Sequence, residues 1–150
     1  MELGILTWGV DQFWRWQQGR RKVRVLVHQA VFLKTDASSG VRTVVTTAAG
    51  LPAVFWFVKV TNLSASRDVG ITHVWVEGDP MITPQIPERP LPTRLRPDEE
   101  WEGWVPVETV AHVDDPARAF RVRLPNGKVL RSRPNATVPP VGYVAGPGSR

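Results

Sequence analysis

Residues 53–61 read AVFWFVKVT, a nearly continuous apolar run that places aromatic side chains on both faces of an extended chain. Successive side chains of a strand point to opposite faces, so apolar residues at odd and even positions alike indicate burial on both sides. We therefore predict that this stretch forms a strand at the centre of the core.

Four further stretches predict strands on either side of this run. In residues 22–34 (KVRVLVHQAVFLK) valines alternate with other side chains, and residues 69–77 (VGITHVWVE) alternate again before a Gly-Asp-Pro stop. Residues 41–46 and 101–107 (WEGWVPV) predict shorter strands. The proline-rich residues 81–97 lack donors for a strand ladder, which predicts a sheet edge or an extended crossover.

Residues 120–133 (FRVRLPNGKVLRSR) predict a hairpin whose register depends on its loop. A two-residue Asn-Gly loop would place an arginine opposite Val122 and mix charge into the apolar face. A three-residue Pro-Asn-Gly loop, with its glycine in the left-handed position of a bulge, pairs Val122 with Leu130 and Arg121 with Arg131. Burial favours the second register, because a one-residue slip exchanges the two faces. The opposed arginines are then either a solvated repulsive pair or half of an anion contact.

Short strands, frequent turns and a proline-rich crossover predict an all-β fold. The chain has fourteen prolines, twelve glycines and no cysteine, so disulfides and thiolate metal sites are excluded. The architecture expected is an antiparallel immunoglobulin-like β-sandwich of about seven or eight strands.

Three sequence segments within residues 54–132 resemble a known type of domain. The series VFWFVKVTNLSASRDVGITHVWVE, RPLPTRLRPDEEWEGWVPV and FRVRLPNGKVLRS resembles an uncharacterised immunoglobulin-like β-sandwich domain that recurs in bacterial and phage proteins. Similar proteins often carry a hydrophobic or membrane-spanning segment before the sandwich, and this chain departs from that pattern with a shorter amphipathic segment. The resemblance implies the fold, and none of its motifs is catalytic.

The N-terminal residues 3–18 have a helical period. Their apolar side chains fall on one half of a helical wheel: Leu3, Ile5, Leu6, Val10, Phe13, Trp14 and Trp16. We predict an N-terminal unit of residues 1–21 that consists of an amphipathic helix and a basic junction. The helix is too short and too polar for a bilayer span, which needs about 20 apolar residues, and it lacks the features of a secretory signal.

Positive charge is concentrated beside this helix. Residues 15–24 contain five cations and no acid, and the net charge of the whole chain is +5. A nucleic-acid binder more often spreads a basic face across its fold. Residues 22–133 are expected to form the sandwich, and residues 134–150 (PNATVPPVGYVAGPGSR) an extended Pro/Gly-rich arm.

The sequence predicts no reactive centre. His28, His73 and His112 lack metal-ligand spacing, and we expect them to be hydrogen-bonded structural residues. The paired acids at 114–115 precede a proline in a turn, so catalysis by two carboxylates would need a coincidence of loops. Hydrolase, P-loop and dinucleotide-binding patterns are absent from the sequence. We expect no enzymatic activity, no metal and no cofactor.

Three functions are compatible with these features. The first is a structural or adaptor module that docks on a larger assembly, such as a phage virion, through the N-terminal helix and C-terminal arm, with other protein chains or further copies as partners. The second is a peripheral membrane protein of a bacterium, attached to anionic lipid by the Trp-rich helix and basic run. The third, ranked last, is nucleic-acid phosphate binding by an arginine-rich hairpin that itself offers no aromatic side chain for base stacking.

Each function implies a set of contact residues. Those expected to contact a partner or a membrane are Leu6, Val10, Phe13, Trp14, Arg20, Arg21, Lys22 and Tyr143. Those expected to contact an anion are Arg121, Arg123, Arg131 and Arg133. Without a secretory signal, the expected location is a virion, the cytoplasm or a membrane surface.

Overall fold

A computed structural model describes residues 23–86 and 89–139 of the chain. In this part of the protein the secondary structure is almost entirely strand, so the predicted all-β class is confirmed. The strands are β1 (Val23–Val31), β2 (Leu33–Thr35), β3 (Arg42–Val44), β4 (Val54–Asn62), β5 (Val69–Ile71), β6 (His73–Val76), β7 (Thr93–Leu95), β8 (Glu100–Pro106), β9 (Phe120–Arg123), β10 (Val129–Arg131) and β11 (Arg133–Pro134). A 3-10 turn spans Val107–Val110, and a one-turn helix, α1, spans Pro116–Ala119.

The largest sheet has four strands in the order β11, β1, β4, β8. The predicted central stretch is β4, which pairs antiparallel with β1 on one side and with β8 on the other. On its inward face Val58 and Val60 are each 0% exposed, and on its outward face Phe57 is 6% exposed. The prediction of a central strand buried on both faces is therefore confirmed.

The second sheet contains three antiparallel strands in the order β10, β9, β6. Its hairpin has the predicted register, with Val122 opposite Leu130 and Arg121 opposite Arg131. Gly127 adopts φ +85°, and its backbone N–H donates to the carbonyl of Leu124 at 3.0 Å. This left-handed conformation is the one that a three-residue loop with a bulge requires.

Both sheets contribute side chains to one hydrophobic core. Buried residues from the first sheet are Val25, Val27, Val58, Val60, Trp101 and Val105, and those from the second are Val74, Val76, Phe120 and Val122. A separate pair of strands, β5 and β7, adds Ile71 and Leu95 to the same core. In the described residues β7 pairs with β5 alone, which agrees with the sheet edge predicted for the proline-rich segment.

A two-stranded ribbon projects past the end of the first sheet. The last pair between β1 and β4 joins Val31 to Val54. After Phe32 the chain continues as β2, which pairs with β3, and all six residues of these two strands are exposed. Residues 33–51 are termed the hairpin arm.

The structure is more finely divided than the sequence indicated. Residues 23–86 and 89–139 contain eleven strands rather than seven or eight. Breaks at Phe32 and Thr72 each divide one predicted strand into two, and the short strands β7 and β11 are additional. The helix α1 was not predicted; it begins with Pro116, whose fixed φ suits the first helical position.

The sheet extends slightly beyond the predicted C-terminal boundary of the sandwich at residue 133. The sheet continues through Pro134, since β11 pairs parallel with β1 and the N–H of Asn135 donates to the carbonyl of Val27 at 2.9 Å. The predicted N-terminal unit, residues 1–21, and residues 140–150 of the predicted arm lie outside the described residues.

Candidate interaction surfaces

The predicted partner contacts cannot be located on this fold. Leu6, Val10, Phe13, Trp14, Arg20, Arg21, Lys22 and Tyr143 all lie outside the described residues. Of the basic run at 15–24, the described part includes Arg24, which lies on β1 opposite Thr61. The surfaces that the structure does describe are the hairpin arm, the arginine hairpin and a charged cleft beside α1.

The hairpin arm exposes large apolar side chains. Leu33 lies directly opposite Val44, and the two residues are 55% and 38% exposed. Val41 and Leu51 are 56% and 65% exposed. These four belong to the seven large hydrophobic residues that are exposed in the described part of the chain. Exposed apolar side chains gathered on one element are typical of an interaction site.

Local hydrogen bonds fix the tip of the arm. The Oδ1 atom of Asp36 accepts hydrogen bonds from the backbone N–H of Ser38 at 2.8 Å and from its hydroxyl at 2.7 Å. These bonds stabilise the carboxylate and lower the pKa of Asp36, and the bond from the Ser38 hydroxyl has the largest effect. Gly40 closes the turn with φ +69°, and its N–H donates to the carbonyl of Asp36 at 2.8 Å. The tip therefore has a defined conformation.

An aromatic cluster on the outward face of the first sheet fixes the root of the arm. The ring of Phe32 lies 5.0 Å from that of Phe55, 5.2 Å from that of Phe57 and 4.9 Å from that of Trp104, measured between centroids. Such aromatic pairs contribute about 0.5–1.5 kcal/mol each beyond the burial of their area. The cluster couples the arm to the sheet.

His28 extends this cluster, stacking on Phe57 with ring centroids 5.5 Å apart. It lies in a strand, as predicted, but its Nδ1 is buried and has no hydrogen-bond partner among the described residues. The expectation that this histidine is fully hydrogen-bonded is therefore wrong for that atom. Burial lowers the pKa of His28, the positive charge of Lys59 lowers it further, and Glu102 opposes both effects.

The two opposed arginines of the hairpin have different environments. The side chain of Arg121 is 13% exposed, and its Nε lies 3.1 Å from Oε2 of Glu77. Its Nη1 donates to the carbonyls of Arg118 and Phe120 at 2.7 and 3.0 Å. The charge of Arg121 is thus compensated, which relieves its repulsion with Arg131.

The remaining cations of the hairpin point to solvent. Four of them are exposed and have no carboxylate oxygen within 4.0 Å among the described residues: Arg123, Lys128, Arg131 and Arg133. The neighbouring strand β6 places Trp75 opposite Arg121 and His73 opposite Arg123. The basic face is defined as His73, Trp75, Arg123 and Arg131. Trp75 was missed by the sequence reasoning because no local pattern pairs β6 with β9.

An open cleft of about 370 Å³ beside α1 gathers acidic and basic side chains from separate loops. Within the cleft, Nη1 of Arg118 lies 2.8 Å from Oδ2 of Asp115. His112, which also lines the cleft, pairs with a residue outside it: its Nε2 lies 3.2 Å from Oδ2 of Asp79. The side chains of His112 and Asp115 are 58% and 53% exposed. Groups this solvated lack the water-excluded environment that acid–base catalysis uses.

Further observations limit the chemistry of the described chain. Within residues 23–86 and 89–139, no three His, Cys, Asp or Glu side chains are grouped so that they could hold a metal ion. No helix in the same residues has the length and apolarity needed to cross a bilayer. Comparisons with protein-family models, curated proteins and solved structures gave no match to this chain. Inference about function therefore depends on the surfaces themselves.

Proposed function

We propose that the chain is a non-enzymatic adaptor module that attaches to a larger protein assembly. The observation that carries this proposal is the hairpin arm, where Leu33, 55% exposed, lies opposite Val44 on a ribbon whose residues are all exposed. Apolar area in water raises the free energy of the isolated protein, and contact with a partner removes that penalty.

Burial of the arm would supply a useful binding free energy. Burial of a fully exposed large apolar side chain contributes about 1.5–3 kcal/mol, and Leu33, Val44 and Leu51 still expose 55%, 38% and 65% of their surface. Burial of that remaining area would contribute about half of this figure per residue and offset part of the entropy lost on association. The fixed tip and root reduce the further cost of ordering the arm. In the described residues β2 also has one edge without a strand partner, to which a strand of the partner could add.

The fold proposed for the module is an immunoglobulin-like β-sandwich. The support is that the inward side chains of the four-stranded and three-stranded sheets belong to one core cluster. All pairs of neighbouring strands within these sheets are antiparallel except β11 with β1. The sequence series in residues 54–132 supports the same family likeness.

The proposed attachment includes both ends of the chain, on sequence grounds. Residues 1–21 have the amphipathic pattern, and residues 134–150 have the composition of an extended arm. With the hairpin arm they would provide contacts to other proteins or to further copies of this chain, as in an accessory protein of a phage virion.

Site-specific photo-crosslinking tests the adaptor proposal. A photoreactive residue is placed at Leu33 of the full chain in its source cells or particles, and at Met81 as a control, because Met81 is 87% exposed and lies outside the arm. We expect a discrete protein adduct from position 33 that Val44→Lys removes, and none from position 81. Absence of an adduct at position 33, or equal adducts at both positions, contradicts the proposal.

Flotation with anionic liposomes distinguishes a protein partner from a membrane. Failure to float, together with an adduct from the arm, supports the adaptor. Flotation that Trp14→Asp abolishes, with no protein adduct from Leu33, would assign the chain to the membrane surface instead.

A further inference from the structure

Trp75 and Arg131 lie in one row across the second sheet, on its outward face. Arg121, on the strand between them, occupies the middle position of the row. Adjacent strands are about 4.8 Å apart, so the backbones of Trp75 and Arg131 are separated by roughly 10 Å. Two residues along, a second row aligns His73, Arg123 and Val129. The basic face therefore sets a partly exposed aromatic ring beside exposed cations on a rigid sheet.

The charge of this face is not neutralised within the described protein. The carboxylate of Glu77 pairs with Arg121, whereas Arg123 and Arg131 have no acidic partner within 4.0 Å among the described residues. Lys128, which directly precedes β10, and Arg133, the first residue of β11, are also exposed and add to the positive potential. A partner that complements the face must be anionic.

We propose that the basic face binds single-stranded nucleic acid, with a base stacked on Trp75 and phosphates held by Arg123 and Arg131. Proteins that bind single strands combine a cationic surface that follows the backbone with aromatic side chains on which bases stack. The planar guanidinium group forms two parallel hydrogen bonds to a phosphate. Both requirements are met on the outward face of this sheet, by Trp75 on β6, Arg123 on β9 and Arg131 on β10.

Other anionic partners use less of this arrangement. An acidic peptide would pair with the arginines and leave the ring of Trp75 without a role. A lipid surface requires side chains that project into the bilayer interface, whereas Trp75 is partly buried along a strand. A duplex presents its bases stacked inside the helix, where Trp75 on a flat sheet cannot reach them. The single strand uses the ring and the cations together.

Fluorescence anisotropy with a labelled oligothymidylate single strand tests this inference on the full chain. We expect binding that weakens as the salt concentration rises. Arg131→Glu should weaken binding about tenfold and reduce the slope of log affinity against log salt by about 0.7, the value for one phosphate contact on a single strand. Trp75→Ala should weaken binding about tenfold with the slope unchanged, and Trp75→Phe should retain most of it.

Arg42→Glu is the matched control, because it makes the same charge change at an exposed residue of a different sheet. Equal weakening by Arg42→Glu and Arg131→Glu would indicate attraction to overall charge and would overturn the proposal. Full binding by a folded Trp75→Ala protein would also overturn it. If the Trp75→Ala protein does not fold, Arg123→Glu replaces it as the test variant, because Arg123 is exposed. We expect this variant to bind the oligothymidylate about tenfold more weakly. Binding to phosphatidylserine vesicles without binding to oligothymidylate would assign the face to a membrane and reject the inference.

Discussion

Phe32 and Trp104 meet edge to face at the root of the hairpin arm, with ring centroids 4.9 Å apart and ring planes inclined by 74°. Phe32 is the single residue between β1 and β2, and its carbonyl accepts a hydrogen bond from the N–H of Val45 at 2.9 Å. The same residue therefore joins the arm to the sheet through its backbone and through its side chain.

Phe32→Ala is expected to lower the free energy of unfolding by about 2–3 kcal/mol, less than the loss of a fully buried phenylalanine, because Phe32 is partly exposed. Urea denaturation measures this loss. Amide hydrogen exchange at Val45 should also accelerate, since the arm loses its anchor. Leu33→Ala, at the exposed neighbouring position, should change stability by less than about 0.5 kcal/mol. Equal losses in the two variants would show that Phe32 does not anchor the arm.

Asn62 is a buried polar junction at the end of β4, with an exposed fraction of 0%. Its Nδ2 donates to the carbonyls of Arg67 and Leu95 at 2.8 and 3.0 Å, and its Oδ1 accepts from the N–H of Ser64 at 2.9 Å. Asn62→Ala would remove the buried hydrogen bond to the carbonyl of Leu95 and the part-buried bonds to Arg67 and Ser64, so we expect a loss of about 2–3 kcal/mol in urea denaturation.

Asn126→Ala provides the comparison for Asn62→Ala. The Oδ1 of Asn126 also accepts a backbone N–H, that of Lys128 at 3.0 Å, but in an exposed turn where water can replace it. We expect a loss of about 0.5–1 kcal/mol there. A loss at Asn62 no larger than the loss at Asn126 would contradict the role of Asn62 as a buried junction.

Much of the fold could be predicted because its determinants are local. The nearly continuous apolar run in residues 53–61 is a property of neighbouring side chains alone, and it identified the central strand β4. The register of the hairpin followed from loop chemistry and from the apolar pairing of Val122 with Leu130. The division of long strands at Phe32 and Thr72 was not predicted, because it depends on where each half finds its neighbour in the folded chain.

The candidate surfaces were less predictable, because they depend on contacts between distant segments. The arginines of the hairpin were evident from the sequence, but Trp75 joins them only through the pairing of β6 with β9. Glu77, which neutralises Arg121, comes to it through the same pairing. The tertiary fold likewise brings His112 next to Asp79 from a separate loop. No local period or spacing carries that information.

Gly103 gives the indole of Trp101 the space it occupies. A Cβ atom at this position would lie 2.7 Å from Cη2 of Trp101 and 2.8 Å from Cβ of Pro84. Gly103→Ala is therefore expected to reduce the free energy of unfolding by about 1–3 kcal/mol through overpacking. Thermal or urea denaturation measures the effect.

A double-mutant cycle with Trp101→Phe separates this clash from a general cost of substituting Gly103. The phenyl ring lacks the atom that the new Cβ would strike, so the loss from Gly103→Ala should be smaller in the Trp101→Phe background. Strictly additive losses would show that the indole is not the obstacle.

The lowered pKa of His28 predicts that the stability of the protein depends on pH. Burial, followed by the charge of Lys59, lowers the pKa of His28 in the folded protein below its ordinary value of 6.5. As the pH falls through 6.5, the unfolded chain therefore takes up a proton that the folded protein binds less readily. Linkage then requires stability to be highest above this value, to decrease as the pH falls through it, and to level off below the folded pKa.

His28→Phe should remove this decrease while it keeps a ring against Phe57, as urea denaturation at pH values above and below 6.5 would measure. His73→Phe makes the same chemical change at an exposed position of β6 and should leave the decrease in place. The carboxyls of Asp36 and Glu99, whose pKa values are lowered from 3.8 and 4.5, lose stabilisation only at more acidic pH and so do not obscure the comparison. If the decrease in stability at low pH persists in His28→Phe and disappears in His73→Phe, the responsible group lies in the second sheet and the assignment to His28 is wrong.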